Sequence, residues 1–480
     1  MTMPVLLLTD ALILLLLAGV VGYFYFVSRR PQMRATWMRV TESPSGMAAL
    51  VVLLAYLVVG LLDSVHYRPV LEAKDPKAAT VYSVEVLSLL DVLASPLRER
   101  QERTYSAPFD TRAYSKETIE IPGTDGAPGK QVREFPRLQF GGVHLARESE
   151  RDRDILVTAL RGFSLAFALW LALAALLSAV LARGSAMSSS ETMRRIWRGE
   201  TRVPWSAVLI MLGLLLAIGG PVIALCTRYH VLGTDKVGQD VMYLALKSIR
   251  TGLVIGTLTT LVLLPLAVVA GVTAGYFRGW VDDVVQYVYT TLNSIPGVLL
   301  IAASVLLMQV YIDTHPDLFP TSVQRADLRL LFLCIILGLT SWTGLARLLR
   351  GEVLKLREFE YVQAAQAFGV GHSRIISRHI LPNVMHVVLI SLVLDFSGLV
   401  LAEAVLSYVG VGVDPSMTSF GTMINAARLE MGREPMVWWS LAAAFVFMFV
   451  LVLAANLFAD SVRDAFDPRI RVRGPAMQKG

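Results

Sequence analysis

Cysteine is almost absent from this 480-residue chain. Cys226 and Cys334 are the only two, which excludes a disulfide framework and a thiolate zinc cluster. Seven scattered histidines without close pairing argue against a dedicated metal site. Charge is scarce too: Asp, Glu, Lys and Arg make up 17% of the residues, against about 25% in an ordinary soluble domain. Hydrophobic residues reach 55%, and the mean hydropathy is +0.57. That balance excludes a disordered chain and argues against an all-soluble one. A phosphate-cradling loop is also missing. Gly123 and Gly129 have five residues between them rather than four, and Lys130 is followed by Gln131, so the tract 123–131 reads as an ordinary turn.

What is present is a series of apolar runs. A helix needs roughly 20 apolar residues to cross a bilayer with its backbone groups satisfied internally. Nine runs qualify: 11–27, 47–62, 163–181, 207–225, 253–276, 284–311, 330–345, 384–406 and 437–458. The sixth is interrupted by Asn293 and by Ile295-Pro296-Gly297, where proline removes a backbone donor and predicts a bend. The first run has no Lys or Arg before it and several arginines after it, so it reads as a retained anchor rather than a cleaved signal.

The formal charge of +6 raises the question of where the cations lie. With the N-terminus outside, the segments 28–46, 182–206, 277–283, 346–383 and 459–480 carry 21 Lys and Arg, whereas the short loops on the other face carry 8. The excess of positive charge marks the cytoplasmic side and predicts an N-out, C-in chain in the cell's inner (plasma) membrane. The charge is therefore a topology signal and not a nucleic-acid patch.

A polar island, 63–162, separates the second and third runs and falls on the external face in this topology. Apolar residues at Val84, Val86, Leu87, Leu89, Leu90, Val92 and Leu93 predict a helix between 81 and 103 until Pro96 intervenes. Strand-like stretches at 118–121 and 133–140 flank the turn-rich tract 122–129. The island reads as a small mixed α/β insertion. It has two histidines, His66 and His144, no cysteine and no Gly-x-Ser-x-Gly nucleophile motif, which argues against a catalytic domain there.

The most informative stretch lies between the seventh and eighth runs. Residues 360–368 favour a short helix rich in Ala and Gln, ended by Gly369 and Gly371, and 373–380 favour a second helix that stops near Pro382. A small-residue helix flanked by cations, too weakly hydrophobic to lie on a membrane, suits a groove on another protein.

This stretch resembles the signature of the permease subunits of ATP-binding-cassette importers: Glu-Ala-Ala, three residues, Gly, nine residues, then Ile-x-Leu-Pro. Gln363, Ala364, Ala365, Gly369, Leu381 and Pro382 fall in register; Gln363 replaces the usual Glu and His379 the Ile. The Arg-His-Ile-Leu-Pro-Asn form resembles the dipeptide and oligopeptide branch. Three further segments are similar to its C-type permease: Leu232-Gly-Thr-Asp-Lys-Val-Gly-Gln-Asp240, Gly275-Tyr-Phe-Arg-Gly-Trp-Val-Asp-Asp283, and Ala402 to Gly412 together with Asp464 to Arg469.

The resemblance implies an all-α polytopic membrane protein with a type I importer core of six helices at 207–462, its transmembrane domain at about 247–460. Before the core stand two extra helices at 1–62, the insertion at 63–162, and a third extra helix with a linker at 163–206; a tail follows at 463–480. It also implies partners: a second homologous permease, two ATPase subunits that hold ATP and magnesium, and an external substrate-binding protein. The cargo would be di- or oligopeptides, with nickel, opines or antimicrobial peptides as alternatives. The chain itself would catalyse nothing and hold no cofactor. The helix 360–368 would dock on the ATPase. An ATP-independent secondary transporter would show internal repeats and more intramembrane charge.

Two carboxylates fall inside or near the eighth run, Asp395 at its middle and Glu403 toward its outer end. Intramembrane carboxylates face a pathway or a helix interface. Asp395 is a candidate for the translocation route, where it would offset a peptide's α-ammonium; the other reading bonds it to Ser391, one turn earlier, or to a neighbouring helix.

Overall fold

The computed structural model describes residues 3–71, 81–121, 130–185, 187–315 and 321–466. Among them are nine helices long and apolar enough to cross a membrane. They are Leu8–Ser28, Pro44–Asp63, Glu148–Arg183, Trp205–Cys226, Val241–Phe277, Gly297–Thr314, Ser322–Arg357, His372–Val409 and Trp439–Phe466. The chain is thus a multi-pass helical membrane protein with little sheet. It divides into two compact units. The first comprises Met1–Val5, Leu50–Thr251 and Thr418–Leu451, and the second Leu6–Ala49, Gly252–Met417 and Val452–Gly480.

In the first unit the third span packs along the fourth through small residues. A Cβ on Gly162 would lie 2.6 Å from the Gly220 carbonyl oxygen, and one on Gly213 2.8 Å from Trp170 Nε1. Without a hydrophobic drive between helices in lipid, such close backbone approach supplies the packing. The insertion carries a three-stranded antiparallel sheet of Met3–Val5, His66–Arg68 and Leu87–Ser88, and a hairpin of Glu117–Ile121 with Lys130–Glu134. The helix expected over 81–103 shrinks to Leu89–Leu93 and Ser95–Arg98. Leu87 and Ser88 are extended because they pair with Tyr67 and His66. Ser88 then caps the short helix in a reciprocal box with Asp91. The second hairpin strand starts and ends earlier than the expected 133–140, and most of the turn tract, 122–129, lies outside the described residues.

The second unit holds the first, sixth, seventh and eighth spans, together with the start of the second, most of the fifth and the end of the ninth. The sixth run splits at Ile295 into Trp280–Ser294 and Gly297–Thr314, the break falling where Pro296 predicted a bend. The first span is tied to the start of the seventh through Thr9, whose amide donates to Asp327 at 3.2 Å. The start of the second span meets the end of the ninth: Ser43 and Ser461 share a 3.0 Å hydrogen bond, and Gly46 leaves room for the Ser461 side chain. At the other end of this unit Arg329 bridges Asp414 at 2.5 Å.

Candidate functional site

The site is built around the helix Glu360–Ala367 in the second unit. Eight residues are too few to hold a helix alone. Ala and Gln favour it, and Glu360 in the first turn complements its positive end. Tertiary packing supplies the rest. Val362 is fully buried, in a cluster with Tyr276, Leu349, Val353, Leu356, Ile375, Ile380 and Val384.

The helix ends where expected. The Val370 amide donates to the Ala365 carbonyl at 3.0 Å and the Gly369 amide to that of Gln366 at 3.0 Å. This Schellman pair needs a left-handed residue, and Gly369 has φ +71°. The opposite face of the helix is open: Gln363, Ala364, Ala367 and Phe368 are exposed, Phe368 at 88%.

The segment after it departs from the sequence reading. Instead of stopping near Pro382, the chain runs from His372–Ile375 through a π turn at Ile376–Ile380 straight into the eighth span. Proline lacks the amide an α turn would use, and the wider turn just before it accommodates the ring. Leu381 and Pro382 are therefore the first turn of the regular α-helix Leu381–Val409 within that span. Asn383 reaches back, its Nδ2 donating to Tyr361 at 3.2 Å.

A second sequence segment joins the site. In the stretch 275–283 after the fifth span, Arg278 and Gly279 take positive φ and turn the chain. Glycines let this strut lie against the seventh span, for a Cβ on Gly275 would sit 2.8 Å from the Arg350 carbonyl oxygen. Arg350 grips Asp282 with two hydrogen bonds of 2.5 and 2.6 Å, which hold the Asp282 carboxyl below the usual carboxylate range. Arg278 pairs with Glu358 at 2.5 Å. The Tyr276 hydroxyl lies 2.9 Å from His372 Nδ1 and 3.4 Å from Gln366 Nε2, while Arg357 donates to the Tyr276 carbonyl at 2.7 Å. Sequence reading singled out neither Tyr276, Asp282, Arg350 nor His372 as partners of the helix. Their shared helix-end position gave only a weak signal.

Asp395 is half-buried in the eighth span, and among the described residues it has no hydrogen bond or ion pair, with Ser391 or otherwise. Glu403 is 1% exposed and accepts a 2.6 Å hydrogen bond from Ser407 one turn later. The two carboxylates are thus unlike: one open for a partner, one turned into the protein.

The first unit contains the loop Leu232 to Asp240, and the structure shows what it does there. Trp439 Nε1 donates to the Thr234 carbonyl at 2.9 Å, and the Ser106 amide donates to Thr234 Oγ1 at 2.6 Å. His230 lies between Asp240, 2.7 Å from Nδ1, and Glu102, 3.4 Å from Nε2. Glu102 also accepts from the amides of Gln139, Phe140 and Gly141. Burial alone would raise its carboxyl, but His230 and these amides hold it below the usual range. Close by, Lys247 Nζ bonds Asp63 at 2.6 Å and Asp91 at 3.0 Å. The insertion is thus bolted to the core by two buried ionic clips.

Comparison with known proteins places the chain in a family. Residues 267–472 match the family of binding-protein-dependent transport system inner membrane components. The oligopeptide transport system permease protein OppC of Mycobacterium tuberculosis is 32% identical over 50% of this chain and 77% of that protein. The dipeptide permease protein DppC of Bacillus subtilis is 29% identical over 50% and 69%. The glutathione permease protein GsiD of Pectobacterium atrosepticum is 30% identical over 50% and 73%. A solved chain of the MetNI methionine ABC transporter, 17% identical over 47% of this chain and 98% of that one with a TM-score of 0.36, is too distant to guide the geometry. The chain belongs to the binding-protein-dependent transport system inner membrane components and is a permease subunit of an ATP-binding-cassette importer.

Proposed function

We propose that this subunit forms half of the translocation pathway of a peptide importer, with a second homologous permease as the other half. The helix Glu360–Ala367 is its docking element for one of two separate ATPase subunits. ATP and magnesium stay with those ATPases. The N-terminus lies outside and the C-terminus in the cytoplasm, in line with the distribution of cations. A substrate-binding protein delivers cargo to the external face. Peptide cargo is supported by the three relatives above, all named for oligopeptide, dipeptide or glutathione transport.

One observation carries the docking assignment: a rigidly rooted helix whose outer face is bare. Val362 plugs into the membrane-end cluster while Gln363, Ala364, Ala367 and Phe368 face outward. A push on that face passes through Val362 to Tyr276, Val353 and Ile380, the ends of three membrane helices. The Asp282–Arg350 grip ties the seventh span to the helix Trp280–Ser294 that follows the fifth. Gln363 in the usual Glu position still reaches Glu358, its Nε2 lying 3.3 Å from the carbonyl oxygen. A neutral side chain there is compatible with docking through shape and apolar contact. Asp395, half-buried without a partner among the described residues, is the pathway candidate, where it would balance a peptide's α-ammonium. Glu403, with Ser407, holds the end of its own span.

The test is reconstitution with the second permease, the ATPases and the binding protein encoded beside this chain. Phe368→Asp places a charge in the docking face and is expected to abolish ATPase co-purification and uptake while leaving the chain folded. Wild-type amounts of bound ATPase with full uptake would refute the docking assignment. Asp395→Asn is expected to keep ATPase association and lose uptake; unchanged uptake of every peptide removes it from the route.

A further inference from the structure

A groove of about 1350 Å³ opens in the second unit between the short helix Pro31–Val40, the start of the eighth span and the end of the ninth. It is larger than a typical drug-sized pocket of roughly 300–1,000 Å³. The signature residues Leu381, Pro382 and Asn383 form part of its lining, but the wall of Met33, Thr36, Trp37 and Arg39 belongs to the N-terminal addition, outside the family's motifs.

Its aromatic residues place it at a membrane–water boundary. Trp37 packs edge-on against Phe24 at 5.1 Å and Phe466 at 5.4 Å, and its Nε1 donates to the Tyr23 hydroxyl at 3.3 Å. Aromatic rings with one polar end collect where apolar spans emerge into headgroups.

The groove is also amphipathic. Met385, Leu389 and Ile390, from the first turns of the eighth span, give it an apolar side. Arg39 and Arg463 line it as well; both are exposed, and neither has an ion pair among the described residues. The acidic side chain on the groove, Glu352, is already held by Lys355 at 3.0 Å. The sequence continues this pattern: Arg29 and Arg30 precede the groove helix, and Arg469, Arg471, Arg473 and Lys479 follow Phe466. Clusters of four or more cations beside a membrane helix attract anionic lipid.

We propose that this groove binds one anionic phospholipid, its phosphate held by Arg39 and Arg463 and its acyl chains along Met385, Leu389 and Ile390. A guanidinium suits the site because it meets phosphate oxygens two at a time. The bound lipid joins the N-terminal addition to the segment leading out of the docking loop. That gives the added helix Pro31–Val40 a function that a six-span core does not need.

Native mass spectrometry of the full chain in a neutral detergent tests this, with equimolar dioleoylphosphatidylglycerol and dioleoylphosphatidylcholine as probes. The wild type should retain the anionic lipid in preference. Each arginine is expected to contribute about fivefold, so Arg39→Gln with Arg463→Gln should weaken retention about 25-fold. Lysine at both positions should keep most of it, and Arg34→Gln, on the same helix but not lining the groove, should change nothing. Equal retention of the two lipids, or wild-type retention by the double Gln variant, overturns the proposal. So does displacement of the lipid by millimolar inorganic phosphate, which identifies a soluble anion. Loss of the second permease from the double variant with lipid retention intact makes the groove a subunit contact and also overturns it.

Discussion

His230 has 4% of its side chain exposed, and burial alone would strip its proton. The hydrogen bond to Asp240 and the facing carboxylate of Glu102 outweigh that penalty and raise its pKa to about 9. A histidine held protonated above its ordinary value stabilises the fold fully below about pH 6.5 and loses that contribution as pH climbs through about 9. The size is of the order of 3 kcal/mol. Glu102 works in the opposite sense: its lowered carboxyl stabilises above the ordinary Glu range and fails only as pH falls below it. Of these two groups, the histidine sets the trend on the alkaline side. The melting temperature of the purified chain should therefore fall by several degrees between pH 6.5 and 9.5. His230→Gln, which leaves Glu102 without its cation, should start lower and change little over that range. A wild-type profile flat across these pH values contradicts the charged-histidine assignment. Nothing in the sequence pointed to this residue. Asp240 closes a recognisable loop, but Glu102 belongs to the insertion, and no local spacing brings the two together.

At the scale of elements, legibility follows the strength of the local physics. The fourth run, 207–225, became Trp205–Cys226, because bilayer-length hydrophobicity outweighs any tertiary preference. The third run started late in the sequence reading. Its helix begins at Arg151, and its polar first turns are held by partners elsewhere: Asp154 bonds Arg228 at 2.9 Å, Tyr229 at 2.8 Å and His144 at 2.7 Å. Val81 to Ser88 failed as a helix for the same reason, since a strand partner at His66 and Tyr67 claimed its end. The docking helix was legible because its stop signal is intrinsic to one residue. Gly369 takes φ +71°, and a Cβ there would meet nothing within 4 Å, so a substitution is opposed by backbone strain and not by a clash. A non-glycine residue pays about 1–2 kcal/mol in that conformation, and a β-branched one is the worst fit. Gly369→Val should barely move the melting temperature yet unwind the cap, re-aim Phe368 and lower coupled ATPase activity severalfold. Gly369→Asn, which tolerates the left-handed region, should keep most of the activity. Equal activity of both with the wild type contradicts a role for the exit turn.

For the whole molecule, the question is whether the insertion is an ornament on the core or part of what holds its own unit together. Its attachments are buried and ionic. Lys247 in the fifth span is shared by Asp63 and Asp91, Tyr243 donates to Asp91 at 2.7 Å, and Gly238 lies so close to the Glu102 carbonyl that a side chain there would overlap it. Removing one member of a buried ionic pair costs about 3–5 kcal/mol because the other charge stays buried. The hairpin Glu117–Ile121 with Lys130–Glu134 is different: its strands pair with each other, and its ion pair outward, Glu117 with the largely exposed Arg103, spans 3.8 Å. Such a surface pair adds little. Two deletions should therefore part company. Replacing 83–150 with a flexible linker should strand His230 and half of the Lys247 clip, and sharply reduce the yield of folded chain. Replacing 117–134 with a short turn should leave the melting temperature nearly unchanged. The hairpin variant can then be assayed for binding-protein affinity on an intact core, where a loss identifies a landing surface on the insertion. A normal melting temperature for the 83–150 replacement would show instead that the clips are dispensable and that the core stands without its addition.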